Sequence, residues 1–228
     1  MSNVLTREQF KDLPLGERLV ALYDPMNFMR YCVKTRDEVD AKAPMKWAPV
    51  WENEPLYKPY IEPIVRVWQS EQTIILDKAR RMYISYLMLI LHLHAAFTNT
   101  DRRIGIVSKK FEDSCAHLEN MKLIYESIPE DVWPAATRPA LRSKEGFIYF
   151  DAIGSVIHAI ASGPDQARQY GFSYLFFDEF DFWDNQEATY GASAPTMQGG
   201  GKLTIATTHA FVDTGIESFY RRMLEDRL

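Results

Sequence analysis

The stretch Tyr174-Leu-Phe-Phe-Asp-Glu-Phe-Asp-Phe182 decides how the rest of the sequence is interpreted. Its apolar start, residues 174–177, predicts a buried strand. Asp178 and Glu179 follow at the carboxyl end of that strand, which is where open α/β sheets bind their ligands. Because successive side chains of a strand point in opposite directions, both acids can face one ligand only if the strand ends there. The alternative is an acidic turn after a strand. We expect Asp181 and Asp184 to be solvated loop acids.

Two adjoining carboxylates suit the cleavage of a nucleoside triphosphate. In such a site the first acid, here Asp178, holds Mg²⁺, which prefers oxygen ligands. The second acid, here Glu179, can accept a proton from the attacking water. This hypothesis requires a phosphate-binding loop upstream in the chain.

A cationic stretch upstream has the right context for phosphate. It follows a predicted strand at 73–76, and Ser85 after it begins the most apolar predicted helix. Lys78, Arg80 and Arg81 place three cations just before this helix, whose free N–H groups and dipole attract anions. Ser85 occupies the position of a hydroxyl ligand for Mg²⁺. The alternative is a helix-capping serine beside a basic surface loop.

Short apolar strands alternate with helical patterns from about residue 64 onward. This alternation predicts an α/β fold with a mostly parallel central sheet that is flanked by helices. The predicted strands are 73–76, 103–108, 147–150, 156–161, 174–177 and 203–207, and the predicted helices are 85–97, 111–128 and 214–227. We therefore expect a core domain at 64–212 and a C-terminal helix, a lid or linker, at 213–228. Residues 1–63, helical at first and then proline-rich and extended, should pack on this core.

The bulk properties indicate a globular protein. The 228 residues are near the upper limit for one hydrophobic core, and a composition of 46% hydrophobic and 25% charged residues excludes disorder over most of the length. A net charge of −5 argues against one large basic face, although a few cations suffice for a transient grip on DNA. The longest apolar run, 83–97, is too short for the roughly 20 residues of a membrane span and predicts a buried helix.

Four stretches resemble, in order and spacing, the motifs of tailed-phage terminase large subunits. Lys78-Ala-Arg-Arg-Met-Tyr-Ile-Ser85 is similar to their deviant Walker A motif, and Tyr174-Leu-Phe-Phe-Asp-Glu179 resembles their Walker B motif with its adjoining glutamate. Arg168-Gln-Tyr-Gly-Phe-Ser173 resembles the stretch that precedes Walker B. Lys202-Leu-Thr-Ile-Ala-Thr-Thr208 resembles the strand that ends in the coupling motif. The resemblance covers about residues 69–208.

The resemblance implies an additional-strand P-loop ATPase, in which the coupling strand lies between the P-loop strand and the Walker B strand. It implies the following roles: phosphate binding by Arg80, with Lys78 and Arg81 as weaker candidates; Mg²⁺ binding by Ser85 and Asp178; general base catalysis by Glu179; γ-phosphate sensing by Thr207 and Thr208; an arginine that acts on a neighbouring subunit's ATP, Arg168; and adenine binding by Gln69, for which a surface position is an equal alternative.

The resemblance also implies cofactors and partners. The cofactors are ATP and Mg²⁺, and the partners are double-stranded DNA, a portal protein and a small terminase subunit. We expect a homo-oligomeric ring when assembled or a monomer in isolation, without a membrane, in the host cell cytoplasm and transiently at the procapsid portal. The nuclease domain that usually follows in this family is expected to be absent.

Two departures from the family pattern lie in the phosphate loop. Tyr83 stands where a glycine is usual, and Ile84 stands where many P-loops have lysine. Since a Cβ disfavours positive φ, we expect that the loop does not close on phosphate in the usual way. Two other functions therefore stay open: another P-loop DNA-dependent ATPase, such as a helicase-like enzyme, and a degenerate nucleotide-binding assembly module.

Overall fold

The N-terminal part of the molecule is a group of short helices and one small sheet. The computed structural model describes residues 4–35, 44–52, 56–163, 165, 171–208 and 219–226. The elements before the central sheet are α1 (Arg7–Lys11), α2 (Leu15–Ala21), α3 (Pro25–Cys32), β1 (Lys34–Thr35), β2 (Lys46–Trp47) and α4 (Ile61–Ser70). Strands β1 and β2 pair antiparallel. Buried side chains of this part, such as Phe28 and Met29, join the same hydrophobic cluster as the core.

The central sheet is mostly parallel, as predicted. It contains seven described strands, one more than the six predicted, because the short polar strand Arg142–Lys144 was not recognised. The strands are β3 (Thr73–Asp77), β4 (Arg103–Ser108), β5 (Arg142–Lys144), β6 (Phe147–Phe150), β7 (Ser155–Ala161), β8 (Tyr174–Asp178) and β9 (Lys202–Thr207). Their order is β3-β9-β8-β4-β7-β6-β5. The pairs β7–β6 and β6–β5 are antiparallel, and the other described pairs of this sheet are parallel. The coupling strand β9 thus lies between β3 and β8, which confirms the additional-strand order.

Helices cover both faces of this sheet. The remaining helices are α5 (Ile84–Thr98), α6 (Phe111–Glu126), α7 (Gln186–Gln198) and α8 (Phe219–Asp226). Phe176 faces the cluster of α5 and α6, whereas its neighbour Phe177 packs in a second cluster with Tyr220 and Met223 of α8. This alternation is the period of two expected of a strand that is buried on both faces.

Helix α5 explains the longest apolar run in the sequence. All its residues from 87 to 97 are buried, including His92 and His94. The prediction of a buried helix is therefore confirmed. In the described part of the chain, no helix combines the length and apolarity needed to cross a membrane.

The proline-rich connection is shorter than predicted. We expected an extended segment up to residue 63, but α4 already begins at Ile61. Pro63 fits there because the first turn of a helix leaves its N–H groups without intrahelical partners. Ile61, Val65 and Trp68 of α4 are buried, so the predicted boundary at residue 63 falls within a helix that packs on the core. Helix α7 was missed because its sequence carries little apolar periodicity, and residues 214–218 of the predicted C-terminal helix lie outside the described residues.

Candidate active site

The candidate site lies at the carboxyl edge of three adjacent parallel strands. Asp77 at the end of β3 pairs in register with Thr207 at the end of β9, and Asp178 at the end of β8 pairs with Ala206. The segments that follow these strands therefore leave the sheet side by side. This brings together the phosphate loop, the acidic pair and the coupling residues, as the sequence predicted.

The phosphate loop, residues 78–83, is held at both ends. The Lys78 N–H donates to the Thr207 carbonyl at 3.0 Å, and the Tyr83 carbonyl accepts the Leu87 N–H at 2.9 Å as helix α5 starts. The Tyr60 hydroxyl donates to the Met82 carbonyl at 2.6 Å. The N-cap residue of α5, Tyr83, makes no side-chain capping hydrogen bond. The N-terminus of a helix attracts anions, because its first N–H groups have no partner within the helix.

Tyr83 adopts the backbone conformation that a glycine would take. Its φ is 64° and its ψ is 6°, in the left-handed region, and Arg81 also has a positive φ of 62°. A left-handed conformation costs a residue with a Cβ about 1–2 kcal/mol. The Tyr83 ring stacks on Tyr86 with centroids 5.7 Å apart, which offsets part of this cost. Tyr83 therefore adopts the positive φ that its Cβ disfavours.

The first carboxylate is held by two helices. Ser85 Oγ on α5 donates to Asp178 Oδ1 at 2.8 Å, and His117 Nε2 on α6 donates to Asp178 Oδ2 at 2.9 Å. Burial acts to raise the pKa of Asp178, but the hydrogen bonds from His117 and Ser85 and the charge of Lys78 outweigh it, so this pKa lies below its usual value. Asp178 is therefore ionised at neutral pH.

The second carboxylate contacts both Lys78 of the phosphate loop and Thr208 after β9. Glu179 follows the last residue of β8 with a left-handed φ of 51°, which turns its side chain away from the alternation of the strand. Lys78 Nζ lies 2.5 Å from Glu179 Oε1. The Thr208 N–H and hydroxyl both donate to Glu179 Oε2, at 2.8 and 2.9 Å. Both oxygens of the candidate base are thus engaged.

Thr207 and Thr208 differ in what they contact. Thr208 contacts Glu179 directly, whereas Thr207 Oγ1 accepts the Asp181 N–H at 3.0 Å and donates to the Thr208 carbonyl at 3.1 Å. Asp181 is only 6% exposed, so the prediction of a solvated loop acid is wrong for this residue. Its place in a 3₁₀ turn, Phe180–Phe182, folds it back onto the sheet edge. Asp184 is an exposed acid, as predicted, and pairs with Lys109.

The other predicted residues are placed less centrally. Arg80 and Arg81 are exposed and make no ion pair with any residue in the described ranges, whereas the Lys78 side chain is 7% exposed and enters the site. Gln69 accepts a hydrogen bond from Arg66 near the end of α4. Strand β3, which is about 15 Å long, separates this end of α4 from the loop, so Gln69 is not brought to the site. Arg168 lies outside the described residues.

The donor set fits a magnesium ion. Ser85 Oγ and Asp178 Oδ1, 2.8 Å apart, are oxygen donors of the kind that Mg²⁺ prefers. The Ser108 hydroxyl at the end of β4 is buried and has no hydrogen-bond partner among the described residues. Ser108 follows Val107, which pairs with Phe177, so it lies beside Asp178. Two protein ligands and a nearby hydroxyl suit an ion that keeps several of its waters.

Sequence reasoning missed His117 and Ser108. His117 flanks the apolar stripe of α6, where a histidine is usually a surface residue, and nothing in the sequence places α6 over β8. The order β8-β4 in the sheet decides both placements, since it sets the end of β4 and the start of α6 next to Asp178.

Comparison with solved structures identifies the fold. A mutant of the ATPase domain of the Thermus phage P74-26 large terminase aligns with a TM-score of 0.54 and 14% sequence identity, over 69% of this chain and 68% of that chain. The large terminase of bacteriophage HK97 aligns with a TM-score of 0.55 and 13% identity, over 85% of this chain but only 37% of the longer terminase. No protein-family model matches the sequence. At these identities the likeness is one of fold, and this chain has the fold of the ATPase domain of phage large terminases.

Proposed function

We propose that the chain is the ATPase domain of a DNA-packaging terminase large subunit, which hydrolyses ATP to drive double-stranded DNA into a procapsid. The observation that carries this proposal is that two pairs of side chains meet at the carboxyl ends of β3, β9 and β8. Lys78 Nζ lies 2.5 Å from Glu179 Oε1, and Ser85 Oγ lies 2.8 Å from Asp178 Oδ1. A cation, a hydroxyl and two acids of these types are what an ATP-hydrolysing site requires.

Each residue of the site has a role in hydrolysis. The N–H groups at the start of α5 and the Lys78 ammonium bind the phosphates, with Arg80 and Arg81 available from the exposed side of the loop. Ser85 and Asp178 would hold Mg²⁺, which would neutralise phosphate charge there. Glu179 takes a proton from the attacking water. Its carboxylate can do so after the Lys78 ammonium has left it to bind phosphate. Thr208, which donates to Glu179 and directly follows β9, then couples a change in the position of the Glu179 side chain to this strand.

The positive φ at Tyr83 argues against the degenerate module. A decayed loop would be expected to abandon a backbone conformation that costs a tyrosine about 1–2 kcal/mol. Tyr83 instead keeps it, with φ at 64°. The pairing of Ser85 with Asp178 is also intact. We therefore place hydrolysis ahead of a purely structural role.

Mg²⁺-dependent ATP hydrolysis tests the site. Glu179→Gln should lower the rate by about 10² or more, which is the range for loss of a general base. Lys78→Ala and Arg80→Ala should also lower it, and the larger loss should follow Lys78→Ala because only this side chain reaches the acids. Matched controls are Glu145→Gln and Lys144→Ala. Both lie on the hairpin of β5 and β6, at the other end of the strand order from β3. Activity that is present and unchanged in all three site variants would refute the assignment.

The arginine in trans can be tested by mixing subunits. We propose that assembled subunits form a ring in which Arg168 acts on the ATP of the neighbour, as such an arginine stabilises transition-state charge. Arg168→Ala and Glu179→Gln should each be nearly inactive alone. Mixed at high protein concentration with DNA, they should regain activity, because the Glu179→Gln subunit supplies Arg168 to an intact base. Mixtures that stay inactive while the wild type is active would argue against action in trans.

The choice of nucleic acid separates packaging from a helicase-like activity. We propose that the work is done on double-stranded DNA at the procapsid portal in the host cytoplasm, with the portal protein and small terminase subunit as partners. Hydrolysis should then be stimulated more by double-stranded than by single-stranded DNA, and stimulation should fall as salt rises. Preferential stimulation by single strands would favour the helicase-like alternative.

A further inference from the structure

We propose that His117 is a positioning residue, which orients the Asp178 carboxylate for its metal ion. This inference rests on the proposed function. His117 Nε2 lies 2.9 Å from Asp178 Oδ2, and the two side chains are only 17% and 10% exposed. A carboxylate can only accept a hydrogen bond, so Nε2 carries the proton in this contact. The hydrogen bond thus runs from a defined donor to a defined acceptor, and little solvent reaches either side chain.

The two donors on Asp178 divide its oxygens between two tasks. His117 from α6 occupies Oδ2, and Ser85 from α5 lies at Oδ1. With one oxygen fixed by the imidazole, the carboxylate cannot rotate freely about its last bond. The oxygen beside Ser85 is thereby left in one orientation for the cation. Partners behind a metal ligand act in this way, and their loss typically costs about 10–100-fold in metal affinity.

The surroundings of Asp178 support a ligand-directed role. Ser108 and Asp178 each lie two residues after a member of the helix-side core, Ile106 and Phe176, so both side chains leave the sheet on the face of α5 and α6. The Ser108 hydroxyl is 4% exposed and has no partner among the described residues. An unpartnered buried hydroxyl next to an oriented carboxylate is the setting for a hydrated cation.

Helix α6 has anchors other than His117. Helix α6 is anchored by Ser114, which donates to the Ile160 carbonyl at 2.7 Å, and by the buried Leu118, Met121 and Ile124. The hydrogen bond to Asp178 is the one polar contact of His117 within the described residues. A purely structural role would therefore consist of tethering α6 to β8. The two roles predict different behaviour of the metal site.

Binding of Mn²⁺ to the protein–ADP complex, followed by electron paramagnetic resonance, separates the two roles. His117→Ala should raise the Mn²⁺ dissociation constant about tenfold. His117→Gln keeps an N–H donor and should restore the affinity to within about threefold of wild type. ADP binding in EDTA should be unchanged in both variants. Glu119→Gln, on the exposed side of the same helix, is the control.

Three results would overturn the proposal. One is unchanged Mn²⁺ affinity in His117→Ala with a lowered melting temperature, since this is what a tether predicts. Another is failure of His117→Gln to restore affinity although it melts like the wild type. The last is wild-type protein that hydrolyses ATP without binding Mn²⁺ in the ADP complex. Wild-type protein that neither hydrolyses ATP nor binds Mn²⁺–ADP would overturn the proposed function as well.

Discussion

The ion pair between Lys78 and Glu179 predicts that removing the candidate base tightens nucleotide binding. The Lys78 ammonium, 7% exposed, lies 2.5 Å from Glu179 Oε1, so a phosphate must displace a carboxylate before it can use this cation. Glu179→Gln removes the competing charge. ADP is the appropriate ligand because it lacks the γ-phosphate that an ATPase cleaves, so the affinity is not distorted by turnover.

The expected gain is about tenfold. A hydrogen bond between charged groups contributes about 1.5–3 kcal/mol, whereas exposed ion pairs contribute about 0–1 kcal/mol. Lys78 is buried but Glu179 is 37% exposed, so a value near 1.4 kcal/mol, between these ranges, is reasonable. A free energy of about 1.4 kcal/mol corresponds to a factor of ten in the dissociation constant.

Isothermal titration calorimetry with ADP and saturating Mg²⁺ measures this change. Lys78→Met should weaken binding, and adding Glu179→Gln to it should bring no further gain, because the two effects act through one contact. Asp184→Asn, an exposed acid that pairs with Lys109 instead, corrects for loss of negative charge in general. Equal or weaker ADP binding by Glu179→Gln, or strictly additive effects in the double variant, would refute the reasoning.

Three further predictions concern stability. Tyr83→Gly relieves about 1–2 kcal/mol of left-handed strain but loses the Tyr86 stack and adds chain entropy, so urea unfolding should stay within about 1 kcal/mol of wild type; a loss above about 3 kcal/mol would contradict the strain argument. Burial lowers the pKa of His92 and of His94 to about 4, below the unfolded value of 6.5. The free energy of unfolding should therefore be highest above about pH 6.5 and fall towards pH 4 by about 2–3 kcal/mol per histidine. A free energy of unfolding that stays constant from pH 7.5 to 4.5 would exclude this. Lys202→Met removes the ammonium that donates to two carbonyls at the end of α4, which should cost about 2 kcal/mol by thermal unfolding, and no loss would show those carbonyls to be solvated.

Most strands of the central sheet could be predicted because their signal is local; the exception is β5, whose three residues are polar and exposed. Residues 103–108 and 147–150 coincide with β4 and β6, and the predicted run 174–177 falls one residue short of β8. Apolar side chains in short runs, bounded by polar residues, carry this information without reference to the rest of the fold. Helix α4 does carry a local helical pattern, with Ile61, Val65 and Trp68 on one face, but Pro63 favoured an extended segment instead. The burial of Asp181 was not predictable in this way, since it depends on what packs against this residue.

The sequence by itself determined which chemistry is available: a strand ending in two acids, a cationic stretch before an apolar helix, and an ordered set of motifs. Only the tertiary structure decided which of these groups meet. It selected Lys78 over Arg80 as the cation in contact with Glu179, set Gln69 far from the loop, and brought His117 to Asp178. The physical reason is that strand order is a long-range property: the order β3-β9-β8-β4 depends on pairing between strands that are distant in the chain, and this order sets the neighbours at the carboxyl ends of the strands.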